Sequence, residues 1–131
     1  WKYEQYFGGV CAFSKLDFLK VNGFSNEFWG WGGEDDDMYR RVRNAKLKLI
    51  RYPITMARYR SLNHTLAHPE RDRGKVVLDG INRYHNDGLT SLKYVVRKYE
   101  LKPLYTWMLV DVGQGKNMTL IAQIDESLRR R

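Results

Sequence analysis

Ten residues constrain this chain more than any others: Phe28-Trp29-Gly30-Trp31-Gly32-Gly33-Glu34-Asp35-Asp36-Asp37. Three glycines set among tryptophans break regular structure, so the segment up to Gly33 reads as a loop whose backbone can approach a ligand closely. The acids that follow open a helix, predicted from Glu34 to Asn44, with Arg40, Arg41 and Arg43 towards its end. That charge order suits both ends of the helix dipole, and Asp36/Arg40 and Asp37/Arg41 are i,i+4 pairs. Indoles offer flat faces to the apolar side of a sugar ring. Carboxylates accept hydrogen bonds from its hydroxyls, and one of them can take a proton from an attacking hydroxyl. An isolated Asp-Asp-Asp would read as a helix cap. Two Trp, three Gly and four acids within ten residues point instead to a site.

Length and charge narrow the classes around that site. The 131 residues suit one domain, and 43% hydrophobic with 14% aromatic content excludes intrinsic disorder. No apolar run is long enough for a membrane span. The single Cys11 excludes an internal disulfide framework and a multi-cysteine zinc site. A net charge of +8 raises nucleic-acid binding, but the basic residues are scattered and carry no nucleic-acid signature, so no nucleic-acid partner is expected.

The remaining elements follow from local signals. Ser14 to Asp17 has capping-box spacing before Phe18 and Leu19, and Asn22-Gly23 is a stop, which predicts a short helix ending near Val21. Strands are predicted at Lys46–Tyr52, stopped by Pro53, and at Ile54–Tyr59. Residues 61–76 read as a long polar loop of functional interest. A helix around Val77–Asn86, a turn at Asn86-Asp87-Gly88, strands at Leu92–Lys98 and Tyr105–Val112, and an amphipathic helix through Leu120, Ile124 and Leu128 complete the reading. The opening Trp1-Lys2-Tyr3 has no initiator Met, signal peptide or anchor, so the chain is expected to be a piece of something longer.

Phe7-Gly8-Gly9-Val10, Asn22-Gly23-Phe24 and the string from Phe28 to Asp37 together resemble the beta-1,4-galactosyltransferase family. The resemblance continues through Arg58 to His64, Asp87-Gly88-Leu89 with Ser91-Leu92, and Pro103 to Gly113. It implies an α/β fold, the C-terminal part of a nucleotide-sugar transferase type A (GT-A) fold, with a mixed sheet, flanking helices and long loops. Residues 1–113 would be the acceptor-side part of the catalytic domain and 114–131 a tail.

The resemblance also implies a reaction: inverting transfer of galactose from UDP-galactose to the 4-hydroxyl of a terminal N-acetylglucosamine or glucose, on glycoprotein or glycolipid. By position, Asp35 is the general base, and Glu34, Asp36, Tyr3 and Tyr6 contact the acceptor. Trp31 gates the donor, Gly9 contacts the donor or acceptor through its backbone, and His64 ligates Mn2+ or Mg2+. The chemistry is consistent with those roles, since an inverting displacement needs a base opposite the leaving group and a cation for the departing diphosphate.

Ser61 stands where the family's best-known members have Met three residues before the metal-binding His. That is a harder donor, and it resembles the glycolipid-directed branch, which makes glucosylceramide a candidate acceptor. Residues 61–76 do not match those that bind the family's regulatory partner alpha-lactalbumin. The bulky Tyr6 favours galactose over N-acetylgalactosamine as the donor sugar. The family's Asp-x-Asp motif and uridine site would lie upstream, so the segment alone is expected to be inactive. The family context implies the Golgi lumen, in a type II membrane protein anchored by a missing N-terminal segment. The sequon at Asn63 is expected to be unused beside His64, and that at Asn117 is open to glycosylation. The rival reading is a non-catalytic carbohydrate-binding module built on the same aromatic and acidic pocket.

Overall fold

The structure, a computed structural model, describes residues 5–60, 62–65, 67–69 and 71–113. The chain divides into two compact units, Trp1–Ser91 and Leu92–Arg131. The tail 114–131, where the amphipathic helix is expected, lies outside the described residues.

The first unit is built on three helices: α1 (Lys15–Lys20), α2 (Glu34–Asn44) and α3 (Arg73–Arg83). Ser14 caps α1 as its spacing predicts. The Ser14 hydroxyl oxygen accepts from the Asp17 backbone N–H at 3.0 Å and its O–H donates to the Asp17 carboxylate at 2.7 Å. The helix stops at Val21, where Asn22 and then Gly23 turn into the left-handed region at φ 59° and 64°. Gly33 precedes α2 at φ 98°, a conformation few residues other than glycine adopt, and α2 covers the residues its charges predict.

One stripe of α2 faces inward through Asp37, Met38, Arg41 and Val42. Met38 and Val42 join Val21 in the core, with Phe7, Phe13, Phe18, Ala45 and Leu47 packed around them. α3 packs against α2 with Gly80 at the contact, its backbone pressed against Asp37 Oδ1 so closely that a Cβ there would collide. The helix begins four residues before the predicted Val77 and ends three before Asn86. Arg73-Gly74-Lys75 carries no apolar period, which hid its first turn.

The strands predicted at 46–52 and 54–59 do not form. Lys46 takes φ 56° and Leu47 N–H bonds back to the Val42 carbonyl, which turns Leu47 into the core. The chain then runs with no ladder partner among the described residues, and the Pro53 carbonyl accepts from Met56 and Ala57 in a tight turn. Alternating side chains make a strand only beside another strand.

In the second unit β1 (Val95–Leu101) pairs antiparallel with β2 (Thr106–Asp111), Val95 opposite Asp111 and Leu101 opposite Thr106. The register shifts between Val96 and Lys98, leaving Arg97 as a bulge. Pro103 occupies the turn, closed by Lys102 N–H donating to the Tyr105 carbonyl at 2.9 Å. Among the described residues this antiparallel pair is the whole sheet, where the sequence implies a mixed one.

Candidate functional site

The four acids that open α2 divide into two sets. Glu34 is exposed, Asp35 and Asp36 are half-buried, and Asp37 is 1% exposed. Asp37 therefore belongs to the interior, where it holds Arg41 (2% exposed) at 2.7 Å. Arg41 in turn reaches the Asp87 carboxylate at 3.1 Å and the carbonyls of Gly23 and Asp87 at 3.2 and 2.7 Å. Arg83 on α3 closes the cluster, 2.9 Å from Asp87 and 3.7 Å from Asp37 Oδ1. Asp37 Oδ1 accepts no hydrogen bond from the described residues, so the Arg83 charge is what compensates it.

Burial pushes the Asp87 carboxyl up. The Ser25 hydroxyl at 2.5 Å, the Asn26 N–H at 2.8 Å, Arg83 and the charge of Arg41 outweigh it and hold the pKa below the ordinary carboxylate value. Sequence reasoning read Asp37/Arg41 as a helix pair and Asp87 as part of a turn. The available signal was only that Asp37 and Arg41 each precede an apolar residue, Met38 and Val42, and that Asp87 precedes Gly88.

A second clamp lies beside this one. Asn22 donates from its side-chain amide to the Tyr84 carbonyl at 2.9 Å and to Thr90, while its own oxygen accepts from Thr90 N–H at 3.0 Å. Asn22 is nearly buried, and its carbonyl accepts from Leu89 N–H at 2.8 Å. The backbone of Gly88 lies directly against that carbonyl, leaving no room for a side chain. Both clamps tie α2 and the Asn22 turn to residues 84–91, which fixes the helix that carries the acids.

On the outer side, Asp35 meets the Tyr6–Gly9 segment. Asp35 Oδ1 accepts from the Asp36 backbone N–H at 3.0 Å, and Oδ2 faces Gly8. A Cβ on Gly8 would fall 2.5 Å from Oδ2 and 3.3 Å from the Tyr6 hydroxyl, so only glycine allows this approach. The segment is pinned there twice. Arg51 donates to the Tyr6 carbonyl at 2.7 Å, and Phe7 packs on Tyr39 of α2 with ring centroids 6.4 Å apart. Gly9 follows at φ 96° on an exposed stretch of backbone. The structure thus brings Asp35, Tyr6 and Gly8 together; Tyr3 lies outside the described residues.

Trp31 is strapped to a different partner. Its N–H donates to the His68 carbonyl at 3.4 Å, it bridges to Pro69, and the Arg73 guanidinium lies 5.8 Å from its ring centre. Over half of its surface is exposed, which leaves an indole face open at the loop. Behind it, Asp36, Arg40, Arg73, Val77 and Leu78 line an open cavity of about 310 Å³.

His64 is exposed, with Nδ1 3.0 Å from the Thr65 carbonyl oxygen. A backbone acceptor at Nδ1 favours the tautomer that leaves the Nε2 lone pair for a metal. No group of three or more His, Cys, Asp and Glu side chains gathers among the described residues. Among the described residues His64 therefore offers one such nitrogen and no complete ligand set gathers around it.

A family profile described as "N-terminal domain of galactosyltransferase" matches residues 1–65. Beta-1,4-galactosyltransferase 3 of Bos taurus is 42% identical over 114 residues, covering 85% of this chain and 29% of that protein. Beta-1,4-galactosyltransferase 2 of Mus musculus is 39% identical over 120 residues, covering 86% and 31%. The catalytic domain of Drosophila beta1,4galactosyltransferase 7, solved with xylobiose, superposes with a TM-score of 0.61 at 23% identity, over 86% of this chain and 51% of that one. The chain spans about three tenths of the length of the curated relatives it matches. It belongs to the beta-1,4-galactosyltransferase family, as part of the catalytic region, and its fold matches part of the galactosyltransferase catalytic domain.

Proposed function

We propose that these residues form the acceptor side of an inverting galactosyltransferase, moving galactose from UDP-galactose to the 4-hydroxyl of a terminal N-acetylglucosamine or glucose. The observation that carries this reading is the approach of Asp35 Oδ2 to Gly8 and Tyr6. One carboxylate oxygen is held by a backbone N–H, and the other is turned towards a glycine wall beside a phenol. Such an oxygen is placed to accept a proton from a hydroxyl lying over Gly8.

In this mechanism Asp35 takes the proton as the acceptor hydroxyl attacks, and Glu34 and Asp36 accept hydrogen bonds from the neighbouring hydroxyls. Tyr6, with Tyr3, lines the same pocket. Trp31 and the Gly9 backbone lie on the donor side, where the open indole face covers the sugar and excludes water that would hydrolyse it. His64 would contribute one ligand to Mn2+ or Mg2+, a cation that neutralises the departing diphosphate when bound. The remaining ligands and the nucleotide site would come from outside residues 1–131, so the segment alone would not turn over. The order of the sequence motifs supports placement of this segment in the C-terminal half of the catalytic domain. A Golgi-luminal, membrane-anchored protein follows from the same family context.

The test is transfer from UDP-galactose by the full-length protein, with N-acetylglucosamine or glucosylceramide as acceptor and Mn2+ or Mg2+ present. Asp35→Asn should lower kcat by about 10²- to 10⁴-fold, the usual contribution of a general base, without moving the melting temperature. A variant that kept the wild-type rate would remove Asp35 from that role.

A further inference from the structure

The stretch that leaves α2 alternates without being a strand. Leu47, Leu49 and Arg51 are half-buried, whereas Lys48, Ile50 and Tyr52 are exposed. Leu47 rests on the core, and apolar burial alone would continue the inward row with another aliphatic side chain. Position 51 instead holds an arginine, and its work there is polar. The guanidinium donates to the Tyr6 carbonyl at 2.7 Å, 45 positions away in the chain, in a bond that the donor's charge strengthens. That carbonyl stands just ahead of the Gly8 backbone facing Asp35 Oδ2. Packing of Phe7 on Phe13 and Tyr39 sets how deep the segment lies, but apolar contact has no direction. The hydrogen bond has one: it fixes the plane of the Tyr6–Phe7 peptide, and with it the face that Gly8 presents.

We propose that Arg51 is a positioning residue for the transfer. By holding the Tyr6 carbonyl it orients the Tyr6–Gly8 wall opposite Asp35, and so sets the angle at which an acceptor hydroxyl meets that carboxylate. This rests on the acceptor-side reading given above. Both sides of the gap are thereby referred to one helix. Asp35 stands in the first turn of α2, and Arg51 extends from the chain leaving its other end, where the Leu47 N–H bond to the Val42 carbonyl at 3.1 Å fixes the exit. A planar guanidinium aims its N–H in a set direction, and a lysine ammonium would keep the donor with a looser aim. Arg51 itself touches no reacting atom in this scheme. Its effect is through geometry, where a misplacement of about 1 Å costs about 10²-fold in rate.

The experiment compares wild type, Arg51→Met and Arg51→Lys in the full-length protein. Two rates are read: galactose transfer from UDP-galactose to N-acetylglucosamine, and hydrolysis of UDP-galactose with no acceptor present. A water molecule does not rest on the wall, so its attack is insensitive to the wall's orientation. Affinity for N-acetylglucosamine is read by calorimetry. Arg51→Met should lower the ratio of transfer to hydrolysis about 10- to 100-fold and weaken the sugar's binding severalfold, and Arg51→Lys should recover much of both. A proportional loss of both rates marks a residue that only supports the fold, and overturns the proposal. If wild type shows no transfer, while Arg51→Met weakens sugar binding and Arg51→Lys restores it, the transferase reading falls and the orienting role stands. If wild type transfers and the ratio is unchanged in Arg51→Met, the transferase reading stands and the orienting role falls.

Discussion

Two sets of ion pairs in this molecule have similar geometry and opposite surroundings. In the first unit Asp37, Arg41, Arg83 and Asp87 form a cluster in which Asp37 and Arg41 are almost sealed from water. In the second unit Arg97 pairs with Asp111 at 2.7 Å across β1 and β2, and Glu100 sits between Lys98 and Lys102. Hydrogen bonds from Lys102 and Lys98 lower the Glu100 pKa, and those from Arg97 and the Gly113 N–H lower that of Asp111. All of these hairpin groups remain in contact with solvent. Distance alone does not decide what an ion pair contributes; the cost of stranding its partner does.

Removing one member of each set should separate them. Arg41→Leu leaves Asp37 buried without its 2.7 Å partner and takes one of two guanidinia from Asp87, and should cost about 3–5 kcal/mol of unfolding free energy, measured by urea denaturation at neutral pH. A cost near that of an ordinary surface substitution would mean that water enters the cluster.

Acid should act on the same cluster through Asp87. Its folded-state pKa lies below the ordinary value, so the stability it contributes is complete above that value and lost as pH falls through the folded one. Wild type should therefore lose stability below about pH 4, while Asp87→Asn, weaker at neutral pH, should show a flatter dependence over that range. Thermal melts at several pH values check it, and parallel curves would show that Asp87 does not titrate differently in the two states. The smallest effect is expected in the hairpin, where Arg97→Ala should leave the unfolding midpoint of the protein within error, and added salt should reproduce that result in the wild type.

The same division explains what could be read from the residues alone. α2 was legible to its ends because its boundaries are local: Gly33 forces the start, and the charges match the dipole. α1 announced itself through Ser14, while the strands expected at Leu92–Lys98 and Tyr105–Val112 form at Val95–Leu101 and Thr106–Asp111, with their pairing visible only in the structure. The strands expected at 46–52 and 54–59 fail because a strand is a pairing, and alternation does not reveal whether a partner exists. Asp35 and Tyr6 were singled out by family resemblance, and their meeting at Gly8 appears only in three dimensions. Asp37 was grouped with its three neighbours because the sequence shows four adjacent acids. Only the helix's inward turn, set by Met38 and Val42, separates it from them.

The Asn22 clamp joins residues 62 to 68 positions apart in the chain, and the Arg41–Asp87 pair spans 46. Between the two sides run residues 62–65 and 67–69, all exposed and outside any helix or strand. Covalent continuity through that stretch is therefore not what holds the two sides in register. A protease cut at Asn63–His64 would leave two polypeptides still fastened to each other by the buried ions and the asparagine, and the acids of α2 would stay where they are.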